Sequence, residues 1–211
     1  MSIDMKKCSV IGRNCLRALF ILSFFHFFIT LTSCSKETTE EEEYANWQQK
    51  NEAMIEQWAS NSAFATYKTY TKDQATAGKK SDYVYVEVLE NGPDNPSPIF
   101  TDTVRVMYRG RLLPSKSYPE GYVFEESYSG DFSWKTANAK DFVCSALVDG
   151  LTTAVMKMHP GDRWRVHIPY TLGYGTSVSS SGLPAYSDLI FEVALVNFWS
   201  PGEVHPPFKT R

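Results

Sequence analysis

The chain has 211 residues, of which 43% are hydrophobic and 14% aromatic, with 21 Lys/Arg against 24 Asp/Glu and a net charge of −3. An acidic chain without a basic stripe argues against a nucleic-acid partner. Four cysteines, two of them within the first 15 residues, do not make a disulfide framework for a fold.

Residues 1–33 read as a targeting segment. Lys6, Lys7, Arg13 and Arg17 form a basic head, and Ala18 to Leu31 form an apolar run of signal-peptide length. The run ends in Leu31-Thr32-Ser33-Cys34, which resembles the lipobox of bacterial lipoproteins. That resemblance implies acylation of Cys34 and a cell-envelope protein, anchored by lipid to the outer membrane and facing periplasm or surface. An ordinary secretory signal would use the same small residues, but the lipobox match favours acylation. Residues 1–33 hold four Lys/Arg and one acid, Asp4, so the remainder carries 17 basic residues against 23 acidic, a net charge of −6. Residues 34–43 include Glu40 to Glu43 and read as an acidic, solvated tether. An acidic run just after such a Cys also resembles the surface-export signal of Bacteroidetes-type lipoproteins. Cys144 is then the one thiol left, and among Phe142, Val143, Ala146 and Leu147 it reads as buried and inert.

Residues 44–81 read as a helical extension and linker. Trp47, Met54, Ile55 and Trp58 fall at near-helical intervals, and the spacing predicts a helix over Tyr44 to Thr69. Such a helix could pack on the domain, mediate dimerisation or hold the domain off a membrane. Residues 82–200 have one core's worth of sequence, and residues 201–211 form a tail. Alternation predicts strands over Tyr83–Glu90, Thr103–Leu112, Val123–Ser127, Arg163–Ile168 and Leu189–Phe198. In the fourth, Trp164, Val166 and Ile168 face a core while Arg163, Arg165 and His167 face water. A helix fits Asp149–Lys157, with Leu151, Ala154, Val155 and Met158 on one face and Thr152, Thr153 and Lys157 turned away. The fold class is α+β, an antiparallel sheet wrapped around one short helix, with an N-terminal helical extension.

The block Met156 to Gly175 carries the strongest signal. After the strand, Pro169 stops the ladder, and Gly173 and Gly175 let the backbone turn around Tyr174. Val104–Gly110, Gly121–Ser127, Leu147–Met158 and Leu183–Leu195 accompany it in order. Together these blocks resemble the FKBP-type peptidyl-prolyl cis/trans isomerases over roughly residues 82–200. The resemblance implies an FKBP-like fold, rotamase activity on proline-containing polypeptides, and a pocket between helix and sheet able to take macrolide-type ligands. It implies Tyr174 and Glu125 as catalytic residues. For substrate binding it implies Tyr108, Phe124 and Phe191 as aromatic walls, with Leu147 and Val148 before the helix and the Val148 N–H on a substrate carbonyl. Leu183, before Pro184, would cover the proline. Leu151 stands at the pocket floor, where the family often has Trp. The segment Tyr128–Val143 is longer than in compact members and offers Phe132, Trp134 and Phe142 for one more wall; Trp134 is preferred. No cofactor is implied. His159, His167 and His205 lack metal-ligand spacing, so no metal is expected. A catalytically weak peptide-binding or chaperone module is the alternative, and an envelope protein acting through residues 44–69 is a third reading.

Overall fold

Alternating apolar and polar residues are translated here into one antiparallel sheet. The computed structural model describes residues 40–180 and 182–208. The signal segment, Cys34 and the first part of the tether lie outside the described residues. A helical turn at Glu40–Glu43 precedes helix α1 (Trp47–Ser60), and then come β1 (Ala65–Lys68), β2 (Tyr83–Glu90), β3 (Thr103–Leu112), β4 (Val123–Glu126) and β5 (Lys140–Val143). Helix α2 (Asp149–Val155), β6 (Arg163–Ile168) and β7 (Leu189–Trp199) complete the order.

The sheet runs β1-β2-β6-β7-β3-β4, every pair antiparallel. The outer edge of β3 is shared: β5 pairs with Thr103–Val106 and β4 with Arg109–Arg111. Rows of side chains follow from this register. Val86, Val166 and Phe191 lie side by side on the face that α2 covers, as do Trp164, Val193 and Tyr108. A methyl on Gly150 would come within 2.3 Å of Ile168 Cγ2, so only glycine lets α2 approach β6 this closely.

The opposite face is where expectation and structure part. His167 and Tyr85 are buried there, not solvated. Helix α1 lies over them: Trp58 sits 5.0 Å from the His167 ring and 6.3 Å from Tyr85, and Phe64 stacks on His167 at 4.9 Å. Trp47, Asn51, Ile55 and Trp58 make the buried stripe of α1, so the extension shares the core with the rest. Burying an aliphatic side chain such as Ile55 is worth ~1.5–3 kcal/mol, which holds α1 in place. The helix stops at Ser60, earlier than its spacing predicted. Asn61 accepts a hydrogen bond from the Ala63 N–H at 3.0 Å, and Ala65–Lys68 leave the helix to complete the sheet edge beside β2. A free edge of β2 offers those residues a full ladder, which outweighs their weak helix preference.

Three further expectations are corrected. Thr152 and Thr153 are buried, because Thr152 donates to Cys144 O at 2.8 Å and Thr153 to Asp149 O at 2.7 Å, next to Thr69. Val88, which alternation groups with Val84 and Val86, is 42% exposed where they are buried, since the β2–β6 register shifts there. Glu43, at the end of the acidic tether, accepts hydrogen bonds from the N–H of Ser117 at 2.8 Å and from its hydroxyl at 2.6 Å. A hydrogen bond from the Ser115 hydroxyl, and then those from Ser117, lower the pKa of its carboxyl. Cys144 is fully buried, and burial pushes its thiol up to about 11.

Candidate functional site

The cavity sits between α2 and the sheet. It measures about 180 Å³, with Val106, Tyr108 and Phe191 of the sheet on one side. Ala146, Leu147, Val148 and Leu151 line it from the approach to α2, Phe142 adds a further wall, and Glu125 and Tyr174 form its rim. Engineered apolar cavities of about 150 Å³ hold a benzene ring, so a pyrrolidine ring fits.

Sequence alternation places the walls. Val104, Val106 and Tyr108 stand at successive in-facing positions of β3, and Tyr108 is 3% exposed. Its main chain is fixed by Ser127, whose hydroxyl accepts from the Tyr108 N–H at 2.9 Å and whose N–H donates to Tyr108 O at 2.8 Å. Phe191, opposite Gly110 in the β3–β7 ladder, meets Phe124 edge to face at 5.5 Å. A Cβ on Gly110 would stand 2.6 Å from Phe124 and 2.7 Å from Phe191, so the glycine makes room for both rings. Phe124 in turn contacts Tyr174 at 6.4 Å. Phe124 therefore backs Phe191 and Tyr174 and does not line the cavity itself.

Polar groups gather at one end. The Tyr108 hydroxyl donates to Glu125 Oε1, and Lys140 Nζ donates to the same hydroxyl at 3.0 Å while lying 3.8 Å from Glu125. Burial, with Glu125 beside it, holds the Tyr108 phenol far above its ordinary value. Tyr174, 38% exposed, is raised by burial and then by Glu125. Both phenols stay protonated at neutral pH and can donate. At the start of α2 the Val148 C=O accepts the first helical hydrogen bond, from Thr152 at 2.9 Å, while its N–H has no partner among the described residues. The result is an apolar cup with a few donors at its mouth.

Tyr108, Glu125, Leu147, Val148, Leu151, Tyr174 and Phe191 are thus brought together. Two other candidates are not. Leu183 is buried but does not line the cavity. Trp134 lies on the opposite face, where its indole donates to Glu90 at 2.8 Å and its ring meets Phe132 at 5.3 Å. The long β4–β5 connection folds over that face because it is tied there. Tyr128 donates to Glu192 at 3.0 Å, and the Arg163 guanidinium sits 4.2 Å over Phe132. The wall assigned to Trp134 is supplied by Phe142, which contacts Tyr108 at 5.6 Å. Lys140 was missed altogether; its only signal is the short run Lys140-Asp141-Phe142-Val143.

Residues 96–196 match the sequence model of the FKBP-type peptidyl-prolyl cis-trans isomerases. The macrophage infectivity potentiator of Trypanosoma cruzi is 31% identical over 130 residues, 62% of this chain and 60% of that protein. An FKBP-type 22 kDa peptidyl-prolyl cis-trans isomerase of Escherichia coli is 30% identical over 106 residues, 50% of this chain and 46% of its own length. The peptidyl-prolyl cis-trans isomerase Mip of Coxiella burnetii is 31% identical over 111 residues, 53% of this chain and 43% of that protein. The chain thus spans roughly half the length of these curated relatives. Among solved structures, an isomerase of Pseudomonas syringae superposes with TM-score 0.54 at 19% identity, over 74% of this chain and 95% of that one. FkpA of E. coli gives TM-score 0.53 at 20% identity, over 94% of this chain and 83% of its own. The antiparallel sheet with one short helix across it is an FKBP-like fold. Helix α1, β1 and β2 precede the matched residues 96–196.

Proposed function

We propose that this chain accelerates cis/trans exchange of X-Pro bonds in polypeptides, with an apolar residue before the proline. The carrying observation is the 180 Å³ cup, walled by Tyr108, Phe142 and Phe191 and floored by Leu151, with Tyr174 and the free Val148 N–H at its mouth. The exchange barrier is loss of amide resonance, roughly 18–20 kcal/mol. Lowering it requires better binding of the twisted imide than of either planar isomer. Twisting reduces charge separation across the imide, so a cup that excludes water favours the twisted form over both ground states. The Val148 N–H and the Tyr174 hydroxyl hold the peptide backbone while the ring turns in the cup. No side chain gains or loses a proton in this cycle. Macrolide-type ligands would occupy the same cup.

The test is the cis/trans exchange rate of a Leu-Pro peptide with and without the protein. A rate that rises in proportion to protein supports the reading. A peptide that binds without faster exchange favours the binding-module alternative, for which Leu151 is the motivating residue: a leucine floor offers less stacking area than the Trp often found there.

Attachment to the cell envelope through an acylated Cys34 is part of the same proposal, and it makes exported proteins the substrates. The lipobox-like Leu31–Cys34 following a short apolar run supports it. Several acyl chains hold a protein firmly where one holds it only marginally. Membrane fractionation of Cys34→Ser tests the anchor, and unchanged sedimentation and processing would overturn it.

A further inference from the structure

Helix α1 carries a polar residue in the middle of its buried stripe. Asn51 is fully buried between Trp47 and Ile55, where an apolar side chain would serve packing as well. A buried amide is costly unless bonded, and Asn51 uses both its ends. Nδ2 donates to Trp47 O at 2.7 Å, and Oδ1 accepts from the backbone N–H of Asp188 at 2.7 Å. One turn earlier, the Trp47 indole donates to Ser187 at 2.8 Å, and the Ser187 hydroxyl donates in turn to Pro184 O at 2.7 Å.

From Asp188 the connection runs towards the cup. Asp188, also fully buried, accepts the Tyr170 N–H on Oδ1 at 2.8 Å. Tyr170 O accepts from Gly173 at 3.0 Å and from Gly175 at 2.9 Å, the two glycines that flank Tyr174. Gly175 O accepts from the Tyr186 N–H at 3.1 Å, closing the ring, and the Tyr170 and Tyr186 rings meet at 5.3 Å. An unbroken series of hydrogen bonds thus runs from the buried face of α1 to the turn that presents Tyr174. Gly175 has φ +81°, which glycine adopts without strain, so the hydrogen bonds around it and not backbone strain hold the turn in one form.

We propose that α1 is a positioning element of the proline cup, acting through Asn51 and Asp188 to fix the 170–175 turn and with it Tyr174. The inference rests on the proposed function for its effect on proline binding. The relay itself does not depend on that function. The hydrogen bonds of Asn51 and Asp188 go to Trp47, to each other and to Tyr170, none of which lines the cup.

The experiment compares Asn51→Ala, Asp188→Ala and Asp188→Asn in the full protein. It reads KM and kcat for a Leu-Pro peptide and, separately, hydrogen exchange of the Gly175 and Tyr186 amides against amides of β3 and β7. The two alanine variants should raise KM roughly three- to tenfold, the span of one neutral hydrogen bond. They should expose the Gly175 and Tyr186 amides while β3 and β7 keep their protection. Asp188→Asn keeps the Oδ1 acceptor and should restore both readouts. Unchanged KM and loop protection in a folded Asn51→Ala protein would overturn the proposal, as would a uniform loss of protection in both alanine variants. If the wild type neither catalyses nor binds, the functional reading fails, and amide exchange alone decides whether α1 holds the turn.

Discussion

Lys140 donates to the hydroxyl of Tyr108 at 3.0 Å, so the four-residue strand β5 at the edge of β3 supplies the cation of the candidate site. The Tyr108 hydroxyl donates a hydrogen bond to Glu125, and the three groups form one hydrogen-bonded set at the rim of an apolar cup. Lys140 and Glu125 are each about half exposed, 49% and 47%, which limits what their attraction is worth. Exposed pairs contribute ~0–1 kcal/mol. Lys140→Ala should therefore lower kcat/KM for a Leu-Pro peptide by less than about fivefold. The same variant should make kcat/KM less sensitive to salt. A loss of several hundredfold would give Lys140 a role in the reaction that this geometry does not.

Phe142 and Trp134 are separated by the sheet and should separate experimentally. Phe142→Ala removes a wall of the cup and should weaken peptide affinity at unchanged chemistry. Trp134→Ala should leave affinity alone and cost stability. It is only partly buried, so its cost should fall short of the ~3–5 kcal/mol typical of a buried Trp. Peptide titration and chemical denaturation of the two variants check this, and a Trp134→Ala protein with weakened affinity would contradict the assignment.

Leu151→Trp tests the floor of the cup. Leu151 is 5% exposed and adjoins an open volume of about 180 Å³. A larger aromatic surface there should tighten peptide binding by ~1–2 kcal/mol of added apolar contact. Equal or weaker affinity in a folded variant would mean that the volume is needed for the substrate.

Asp188 makes stability depend on pH in an unusual direction. Burial raises its carboxyl from 3.8 to about 8, the Tyr170 N–H opposing and Glu52 adding to the rise. The folded state therefore holds a proton that the unfolded chain has released. Stability is lost as pH rises across that window, by an amount on the order of a few kcal/mol. Asp188→Asn cannot ionise and keeps the acceptor. Its melting temperature should match wild type near pH 4 and exceed it at pH 9; equal values at pH 9 would contradict the buried, protonated state.

His167 acts from the acid side. Burial, then Arg165, lowers its imidazole from 6.5 to about 4, and neither ring nitrogen has a partner among the described residues. Between those values the unfolded chain binds a proton that the folded state refuses, so stability falls as pH drops below 6.5. His167→Phe keeps the stacking on Phe64 and Trp58 and removes the unpaired nitrogens. It should melt higher at pH 7 and lose less on acidification to pH 5. A lower melting temperature at pH 7 would show that the ring's polarity is used.

The long strands were legible because eight to eleven alternating residues leave little choice of register, and Tyr108 and Phe191 follow from them. Tyr174 was legible from its two glycines and Pro169. The four-residue strands β1 and β5 were not. Ala65–Lys68 and Lys140–Val143 are too short to show a period, and both are strands only because an unpaired edge lies beside them. Sidedness failed where a distant segment covers a face. Nothing near His167 in sequence announces that Trp58 and Phe64 will cover it. Choosing among Phe132, Trp134 and Phe142 failed for the same reason, since partners of the long connection such as Glu90, Arg163 and Glu192 come from three other strands.

The central claim is that the cup turns a proline, and exchange spectroscopy on a Leu-Pro peptide measures that directly. Spontaneous exchange takes tens to hundreds of seconds. With catalytic amounts of protein, the cis and trans resonances should exchange within about a second, far inside that spontaneous time. Tyr174→Phe should slow this by about tenfold or less, the worth of one hydroxyl hydrogen bond. Phe191→Ala should slow it further and destabilise the fold by ~3–5 kcal/mol. A folded wild-type protein that shifts the peptide resonances yet leaves the exchange rate at its spontaneous value would contradict the account.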